Sequence, residues 1–234
     1  MMNHQRFLDI SEADSLSSFE KLLVDFAGAL DFGIVAAALV VDRPGSESTF
    51  LALGNTPSDF ADASRSVEDS KRDPVLKRLK RMSTPFIYDQ DMFVSEGAGD
   101  LWEQQAEYGY KTGISVALHL PGNKHFLLGV DRDDPLPKDE TKVVRMLADL
   151  QLAAVHAQDA ALRLLGSQVV VPSLSARELE ILKWSIEGKS ASVVGQILGI
   201  SAATVNYHVG RILVKLECES KHQAILKAMA LGLL

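Results

Sequence analysis

The chain has 234 residues, of which 47% are hydrophobic and 24% are charged, and its formal net charge is −7. This apolar fraction argues against a disordered chain, and the length suits one large or two modest domains. The single cysteine, Cys218, excludes an intramolecular disulfide framework and a multi-cysteine zinc site. Because no apolar run approaches the ~18 residues of a membrane span and the N-terminus lacks a signal peptide, we expect a soluble cytoplasmic protein without a membrane partner.

The first two-thirds of the chain alternates between helical and strand patterns. The helical spacing of apolar residues predicts a helix over 17–31, whereas residues 57–70 carry no clear pattern. Strands in hairpin order, with helices before, between and after them, predict an α+β fold: an α/β/α sandwich around an antiparallel sheet. The predicted strands are 34–41, 49–54, 86–88, 113–120 and 125–130, and the further helices are 73–82, 99–108 and 138–164.

Several polar groups in this part of the chain are expected to carry no chemistry. Asp131, Asp133 and Asp134 follow the last predicted strand in a turn-like stretch, VDRDDPLP, where we expect them to be solvated. The six histidines show no metal-ligand spacing, and we find neither a nucleophile–base pair nor a phosphate-binding glycine loop. Neither an enzyme nor a metal site is therefore expected.

A linker and a basic segment complete the chain. Residues 166–173, GSQVVVPS, are the predicted linker, because Gly166 can stop a helix and Pro172 bars its continuation. Residues 174–234 carry seven Lys and Arg against five Glu, whereas the chain as a whole is acidic. A mildly basic segment on an acidic body suits a nucleic-acid-binding appendage.

Residues 174–234 predict four helices. Ser175 and Glu178 form a capping box, and Ser190 and Ser201 can cap two short helices separated by a three-residue break. This arrangement fits a helix-turn-helix. In the helix after Ser201, a face of Ala203, Tyr207, Gly210 and Val214 lies opposite the apolar stripe, and Asn206 can pair bidentately with adenine. Spacing alone leaves DNA binding and an α-helical oligomerisation module equally open. The residues that we expect to contact double-stranded DNA are Lys189, Ser201, Thr204, Asn206, Tyr207, Arg211 and Lys215.

The stretch LSARELEILKWSIEGKS and the later ILGISAATVNYHVGRILVKLE together resemble the LuxR-type helix-turn-helix domain. The resemblance covers about 60 residues and departs at Val193, where the family usually has Glu, which puts a surface pairing in doubt but not the fold. It implies DNA binding by residues 174–234. The positions in register are Leu174, Arg177, Glu178, Leu182, Trp184, Gly188, Lys189, Ser190, Ile200, Ser201, Thr204, Val205, His208, Lys215, Leu216, Gly232 and Leu233.

Residues 1–165 resemble the autoinducer-binding domain of quorum-sensing LuxR regulators. The segments that carry this resemblance are Asp73-Pro-Val75, Tyr88 after a Pro-Phe-Ile strand, and the run from Tyr108 to Ser115. A receiver domain is disfavoured, because the strands come in hairpin order and no early acidic pair follows an apolar strand. The resemblance implies a homodimer that binds a two-fold-symmetric DNA site and has no cofactor, its effector being a small hydrophobic signal, an N-acyl homoserine lactone.

The resemblance also implies a ligand site with unusual head-group contacts. Asp73 is expected to accept the amide N–H of the ligand, although local sequence also fits a simple helix cap before Pro74. Phe60 stands where the family has a Trp that donates to the lactone carbonyl, Ser64 where it has a Tyr, and Tyr88 where it has a second Trp. The expected ligand-binding residues are Asp73, Phe60, Ser64, Val75, Tyr88, Trp102, Gly113 and Ser115.

These departures leave two alternatives open. A lost donor leaves a buried carbonyl unpaired at roughly 1–3 kcal/mol, so a standard lactone should bind more weakly unless Tyr88 or Ser115 compensates. The chain could therefore respond to another amide or a host-derived compound. It could also be a ligand-independent DNA-binding protein whose N-terminal domain only dimerises.

Overall fold

The computed structural model describes residues 3–42, 48–57, 60, 67–166 and 172–234. The chain forms two compact units. The first comprises Met1–Val40, Phe50–Leu120 and His125–Gln168, and the second comprises Val41–Thr49, Pro121–Lys124 and Val169–Leu234.

A five-stranded sheet organises the first two-thirds of the chain. Its strands are ordered β2-β1-β5-β4-β3, and β3 runs antiparallel to β4 with Tyr88 opposite Gly113. The strands are β1 (Ile34–Val41), β2 (Thr49–Gly54), β3 (Phe86–Tyr88), β4 (Thr112–Leu120) and β5 (Lys124–Arg132). The helices are α1 (His4–Glu12), α2 (Leu16–Ala29), α3 (Val67–Arg72), α4 (Pro74–Leu79), α5 (Gln90–Ser95), α6 (Gly99–Ala106) and α7 (Glu140–Leu164).

Helices cover both faces of this sheet. Residues 113–117 of β4 are all buried, and because successive strand residues point to opposite faces, β4 is covered on both sides. Helix α7 packs on α1 and β4, while α4 packs on β4 and α5 packs on β3. The predicted α+β fold, with an α/β/α sandwich around the sheet, is confirmed.

An apolar layer lies between the sheet and helices α4 to α6. Phe86 and Tyr88 of β3 and Ala117 of β4 are buried there. Fully or partly buried side chains of the covering helices complete the layer: Val75, Leu76, Leu79, Met92, Phe93, Leu101 and Trp102. The polar groups described below therefore lie beside an apolar layer that excludes water.

The C-terminal unit holds four helices, as predicted: α8 (Ala176–Ile186), α9 (Ala191–Leu198), α10 (Ala202–Lys215) and α11 (Lys221–Ala230). Ser175 and Glu178 form the expected capping box, and Ser190 and Ser201 cap α9 and α10. Gly199 ends α9 with a φ of 67°, in the left-handed region that favours glycine. The core is formed by Ile181, Leu182, Val194, Val205, Ile212, Leu216, Ala224 and Ala228.

Two large apolar side chains of this bundle are exposed. Ile186 and Ile197 are 43% and 45% accessible, whereas Ser185 and Gly195 are buried. In α9, Ile197 is exposed because the helix approaches the following turn closely through Gly195. A Cβ on Gly195 would lie 2.6 Å from the carbonyl oxygen of Ile200. The backbone at Gly195 therefore faces the turn, and Ile197 is rotated outward.

In the part of the chain that the structure describes, no single helix is long and apolar enough to cross a membrane. Helices α9 and α10 reach the necessary length and apolar content only when taken together, across a bend of 107°.

Candidate functional site

Asp73 sits at the start of α4, and its two carboxylate oxygens have different partners. Oδ1 accepts the backbone N–H groups of Val75 at 2.7 Å and Leu76 at 3.1 Å, so Asp73 is the helix cap that local sequence suggested. Oδ2 accepts the amide of Gln105 at 3.2 Å. Burial raises the pKa of Asp73, and these hydrogen bonds oppose the rise. The cap leaves Oδ2 available to a further donor.

Tyr88 and Asp131 form a second polar pair in the same region. Both side chains are buried, and the Tyr88 hydroxyl donates a short hydrogen bond to Oδ1 of Asp131. The side chain of Ser115, also buried, adjoins the Tyr88 phenol and lowers its pKa, against the rise that burial causes. We refer to Asp73, Tyr88, Ser115 and Asp131 as the buried polar cluster.

Two glycines make room for this cluster. A Cβ on Gly113 would overlap the Tyr88 ring and lie 2.7 Å from Oδ1 of Asp131. A Cβ on Gly129 would lie 2.6 Å from Oγ of Ser115. The phenol therefore lies directly against the backbone of β4, a position that only a residue without a side chain allows.

The expectation that Asp131 is solvated is wrong. Its residue is 2% exposed, because β5 continues to Arg132 instead of ending at 130. The N–H of Gly33 donates to the carbonyl of Asp131 at 3.1 Å and holds this end of the strand in place. The alternation of β5 puts Asp131 on the same face as Gly129, toward the polar cluster. Asp133 and Asp134, which lie beyond the strand, are exposed as expected.

Burial dominates the electrostatics of this pair. It raises the pKa of Asp131 to about 7, and the charge of Asp73 adds to the rise while the hydrogen bond from Tyr88 opposes it. Burial and the neighbouring Asp131 raise the pKa of Tyr88 well above its ordinary value. Among the described residues, no cationic side chain forms an ion pair with Asp131. Two carboxyl groups thus share one poorly hydrated region, in which the charge of Lys77 lowers the pKa of Asp73 but no described side chain forms an ion pair with Asp131.

Aromatic residues border the cluster. Phe60 stacks on Tyr110 with ring centroids 4.3 Å apart, and the Tyr110 hydroxyl hydrogen-bonds Thr56 at 3.0 Å. Burial raises the pKa of Tyr110 to about 12, with a smaller contribution from Asp131. Trp102 donates its indole N–H to the carbonyl of Lys111 at 3.0 Å, which occupies that donor internally.

The predicted ligand-binding residues converge only in part. Asp73, Tyr88 and Ser115 meet in the polar cluster, with Gly113 beneath Tyr88, while Val75 and Trp102 belong to the adjoining apolar layer. Ser64 lies outside the described residues. Sequence analysis missed Gln105, Tyr110, Gly129 and Asp131; the alternation of LLGVD after Phe126 was the one available signal for Asp131.

In the second unit, helix α10 presents the face that its periodicity predicted. The aromatic side chain of Tyr207 and the apolar side chain of Val214 lie on this face and are 60% and 80% accessible. A shallow depression of about 470 Å³ runs along this face and is lined by Asn206, Tyr207, Gly210, Arg211, Val214 and Lys215. Lys189 is exposed as well, whereas Ser201 caps α10 by accepting the N–H of Thr204 at 3.0 Å.

A buried carboxylate ties α10 to α8. Glu178 is 1% exposed, and its Oε2 accepts Nζ of Lys215 at 2.7 Å while Arg211 lies 3.9 Å from Oε1. Burial alone would raise the pKa of Glu178, but the hydrogen bonds from Lys215 and Ser175 outweigh it and lower that pKa. The ammonium of Lys215, which we expected to contact DNA, is thus paired with Glu178 inside the unit.

The described residues contain no group of three or more His, Cys, Asp and Glu side chains that could hold a metal ion.

Comparison with known protein families identifies both parts of the chain. Residues 15–161 match the autoinducer binding domain, and residues 172–228 match the luxR family of bacterial regulatory proteins. The chain belongs to the LuxR family of quorum-sensing regulators. LuxR-family proteins are DNA-binding transcription regulators with a helix-turn-helix, not enzymes, and the buried polar cluster of this LuxR-family chain lies within its autoinducer-binding domain.

Individual LuxR-family relatives match over most of the chain. The transcriptional activator SolR of Ralstonia nicotianae is 28% identical over 214 residues, covering 88% of this chain and 87% of SolR. The regulatory protein SdiA of Escherichia coli is 32% identical over 168 residues, covering 69% of this chain and 67% of SdiA. A crystal structure of SdiA has a TM-score of 0.81 at 26% identity and covers 98% of this chain and 96% of that chain. A solved structure of SdiA in complex with octanoyl-rac-glycerol has a TM-score of 0.82 at 24% identity and covers 100% of this chain and 98% of that chain.

Proposed function

We propose that this LuxR-family chain senses an N-acyl homoserine lactone or a related N-acyl signal and binds a two-fold-symmetric promoter site as a homodimer. Residues 1–165 are the sensing domain, 166–173 the linker and 174–234 the DNA-binding domain. The observation that carries the proposal is the buried polar cluster beside an apolar layer. Buried polar groups converging within apolar surroundings are typical of a small-molecule site.

In this proposal, Asp73 accepts the amide N–H of the signal at Oδ2. That oxygen receives one hydrogen bond, from Gln105, and a carboxylate oxygen has room for a second donor. The acyl chain lies against the apolar side chains of α4 to α6. SdiA in complex with octanoyl-rac-glycerol supports this arrangement, because a protein of the same fold accepts an acyl chain.

Exposed apolar side chains support the homodimer. Val144, Leu152 and Val155 on the long helix α7 are 64%, 42% and 43% accessible, and Leu226 and Met229 on α11 are 48% and 50% accessible. Several exposed large apolar side chains on one helix are typical of an interaction site. Two-fold-symmetric DNA sites require two recognition helices one helical turn apart, which a homodimer provides.

On DNA, Asn206 and Tyr207 face the major groove from α10, with Thr204, Arg211 and Lys189 near the phosphate backbone. Replacement of Asn206 by Ala tests this assignment, because loss of a bidentate contact to adenine relaxes base preference at one position per half-site. A uniform loss of affinity across all sites would instead assign Asn206 to a phosphate. Lys215 joins the DNA contacts only if phosphate binding displaces it from Glu178.

The test of sensing is thermal unfolding of the full chain with N-acyl homoserine lactones of varied chain length. A ligand at about 100 times its Kd adds about 2.7 kcal/mol to the folded state. We expect a rise in Tm that depends on the chain length of the ligand and that is lost in the Asp73→Ala variant. DNA binding by helices α8–α11, which needs no ligand, should persist in this variant. An Asp73→Ala protein with an unchanged response would refute the anchor role. A folded protein that ignores every acyl compound would favour the ligand-independent alternative.

A further inference from the structure

Three hydrogen-bond donors around the buried polar cluster are occupied by internal acceptors, and the Ser115 hydroxyl adjoins the Tyr88 phenol. The Tyr88 hydroxyl donates to Asp131, and the Gln105 amide donates to Asp73. The indole N–H of Trp102 is bound to a backbone carbonyl. Phe60, at the position where the family has a donating Trp, has no donor at all. A ligand that approaches these described side chains therefore meets few free N–H or O–H groups.

The acceptors, in contrast, are in excess. Asp131 accepts one side-chain hydrogen bond, from Tyr88, and the described residues supply no further partner to its carboxyl group. A carboxylate has about four lone-pair positions, and a buried charge is costly unless it is paired and hydrogen-bonded. The second carboxyl group, that of Asp73, lies close enough for its charge to act on Asp131. The cluster as it stands is complementary to a group that brings donors.

We propose that Asp131 is a specificity-determining residue, which selects an acyl compound whose polar head carries a hydroxyl or amine donor over one whose head has acceptors only. This inference rests on the proposed sensing function and narrows its ligand class. The Tyr88 hydroxyl fixes one carboxyl oxygen of Asp131, and the head group of the ligand donates to the carboxyl group from the other side.

A homoserine lactone ring illustrates the contrast. Its head offers a carbonyl and a ring oxygen, both acceptors, and these would face the ionised Asp131 carboxylate with no donor between them. A hydroxyl in the same place forms a charge-assisted hydrogen bond, about twice as strong as a neutral one. Such a bond contributes enough to change affinity by about tenfold or more.

The experiment compares head groups that differ by one donor. N-acylethanolamines retain the amide for Asp73 and end in a hydroxyl, and their O-methyl ethers differ only in lacking that O–H. Both are measured by calorimetric titration and thermal unfolding of the full-length protein, alongside the homoserine lactone, each with an octanoyl and a dodecanoyl chain. We expect the wild type to bind the ethanolamine at least about tenfold more tightly than its methyl ether.

Three variants assign this preference to Asp131. Asp131→Leu removes every acceptor, and Asp131→Asn retains one without charge and keeps the shape of the side chain should the Leu variant fail to fold. Both should reduce the ratio of the two affinities, the Leu variant to near one. Asp134→Asn is the matched control, because Asp134 is an exposed carboxyl group only three residues away, and it should leave the ratio unchanged.

The outcomes separate this inference from the function beneath it. Equal binding of ethanolamine, ether and lactone, or a ratio unaffected by Asp131→Asn and Asp131→Leu, would overturn the donor preference and leave an acyl sensor. Absence of binding by all of these compounds to folded wild-type protein would overturn acyl sensing itself, and the donor preference with it.

Discussion

Replacing Asp131 by Asn should stabilise the ligand-free protein, and the gain should grow with pH. The substitution keeps the size of the side chain and an acceptor for the Tyr88 hydroxyl but removes the ionisable group. In the wild type, burial raises the pKa of Asp131 to about 7 from an ordinary 3.8. The folded protein must therefore ionise a carboxyl group that water no longer stabilises.

The sign and size of the effect follow from this pKa. Below pH 3.8, Asp131 is protonated in both the folded and the unfolded chain and contributes no pH dependence. Between that value and about 7 the folded chain keeps a proton that the unfolded chain has lost, so stability falls as pH rises. The pKa of Asp131 differs by about 3 between the folded and unfolded chain, and each pKa unit corresponds to about 1.4 kcal/mol. The resulting loss of folding stability is on the order of 4 kcal/mol and is complete above pH 7.

Thermal unfolding of wild type and Asp131→Asn at a series of pH values between 4 and 8 measures this. Because groups outside the buried polar cluster titrate alike in the two proteins, the difference in Tm reports on Asp131 and its coupling to Asp73. It should widen by roughly ten degrees from the acid to the alkaline end, with Asp134→Asn running parallel to the wild type. A difference that stays constant with pH would refute the burial of an ionising Asp131.

Three further substitutions test the packing. Gly113→Ala should destabilise the protein by about 1–3 kcal/mol in thermal unfolding, because its methyl group would overlap the Tyr88 ring. Gly28→Ala is the control and should be neutral or stabilising, because the space around Gly28 is open. Equal effects of the two substitutions would contradict the contact between Gly113 and Tyr88. Gly195→Ala should lower DNA affinity by displacing the turn after α9, since its Cβ would lie 2.6 Å from the Ile200 carbonyl oxygen. Glu178→Gln should lower the free energy of unfolding by about 1–2 kcal/mol, because it removes the ion pair with Lys215. A variant as stable as wild type would show that this ion pair does not contribute to stability.

The strands were the most predictable elements of the fold. The bounds predicted for β1 and β2 coincide with those observed, because apolar runs there stand between clear turn signals. Helices α1 and α5 were missed, since each is short and contributes few buried side chains: Phe7 and Ile10 from α1, and Phe93 from α5. Short amphipathic helices of this kind are stabilised by tertiary contacts that no local window contains.

The candidate site was harder to predict, for a different physical reason. Asp73 could be placed from Pro74 and the family motif, since a helix cap is a local feature. The Tyr88–Asp131 pair joins residues 43 positions apart on strands that are not neighbours in the sheet. Asp131 is buried because β5 continues past the apolar run that ends at Val130. The acidic residues of VDRDDPLP favoured a solvated turn, and that prediction was wrong for Asp131.

The three residues of this pairing depend on one another. The Tyr88 ring needs the bare backbone of Gly113, its hydroxyl needs a buried acceptor, and Asp131 needs that hydroxyl as its one side-chain donor. A Trp at position 88, as in the family pattern, would be larger than the ring that already fills the space above Gly113. The aromatic residue at 88 and the carboxyl group at 131 therefore form one unit. In the proposed ligand site, that unit offers a head group an acceptor, while Phe60 lacks the donor that the family pattern has at its position.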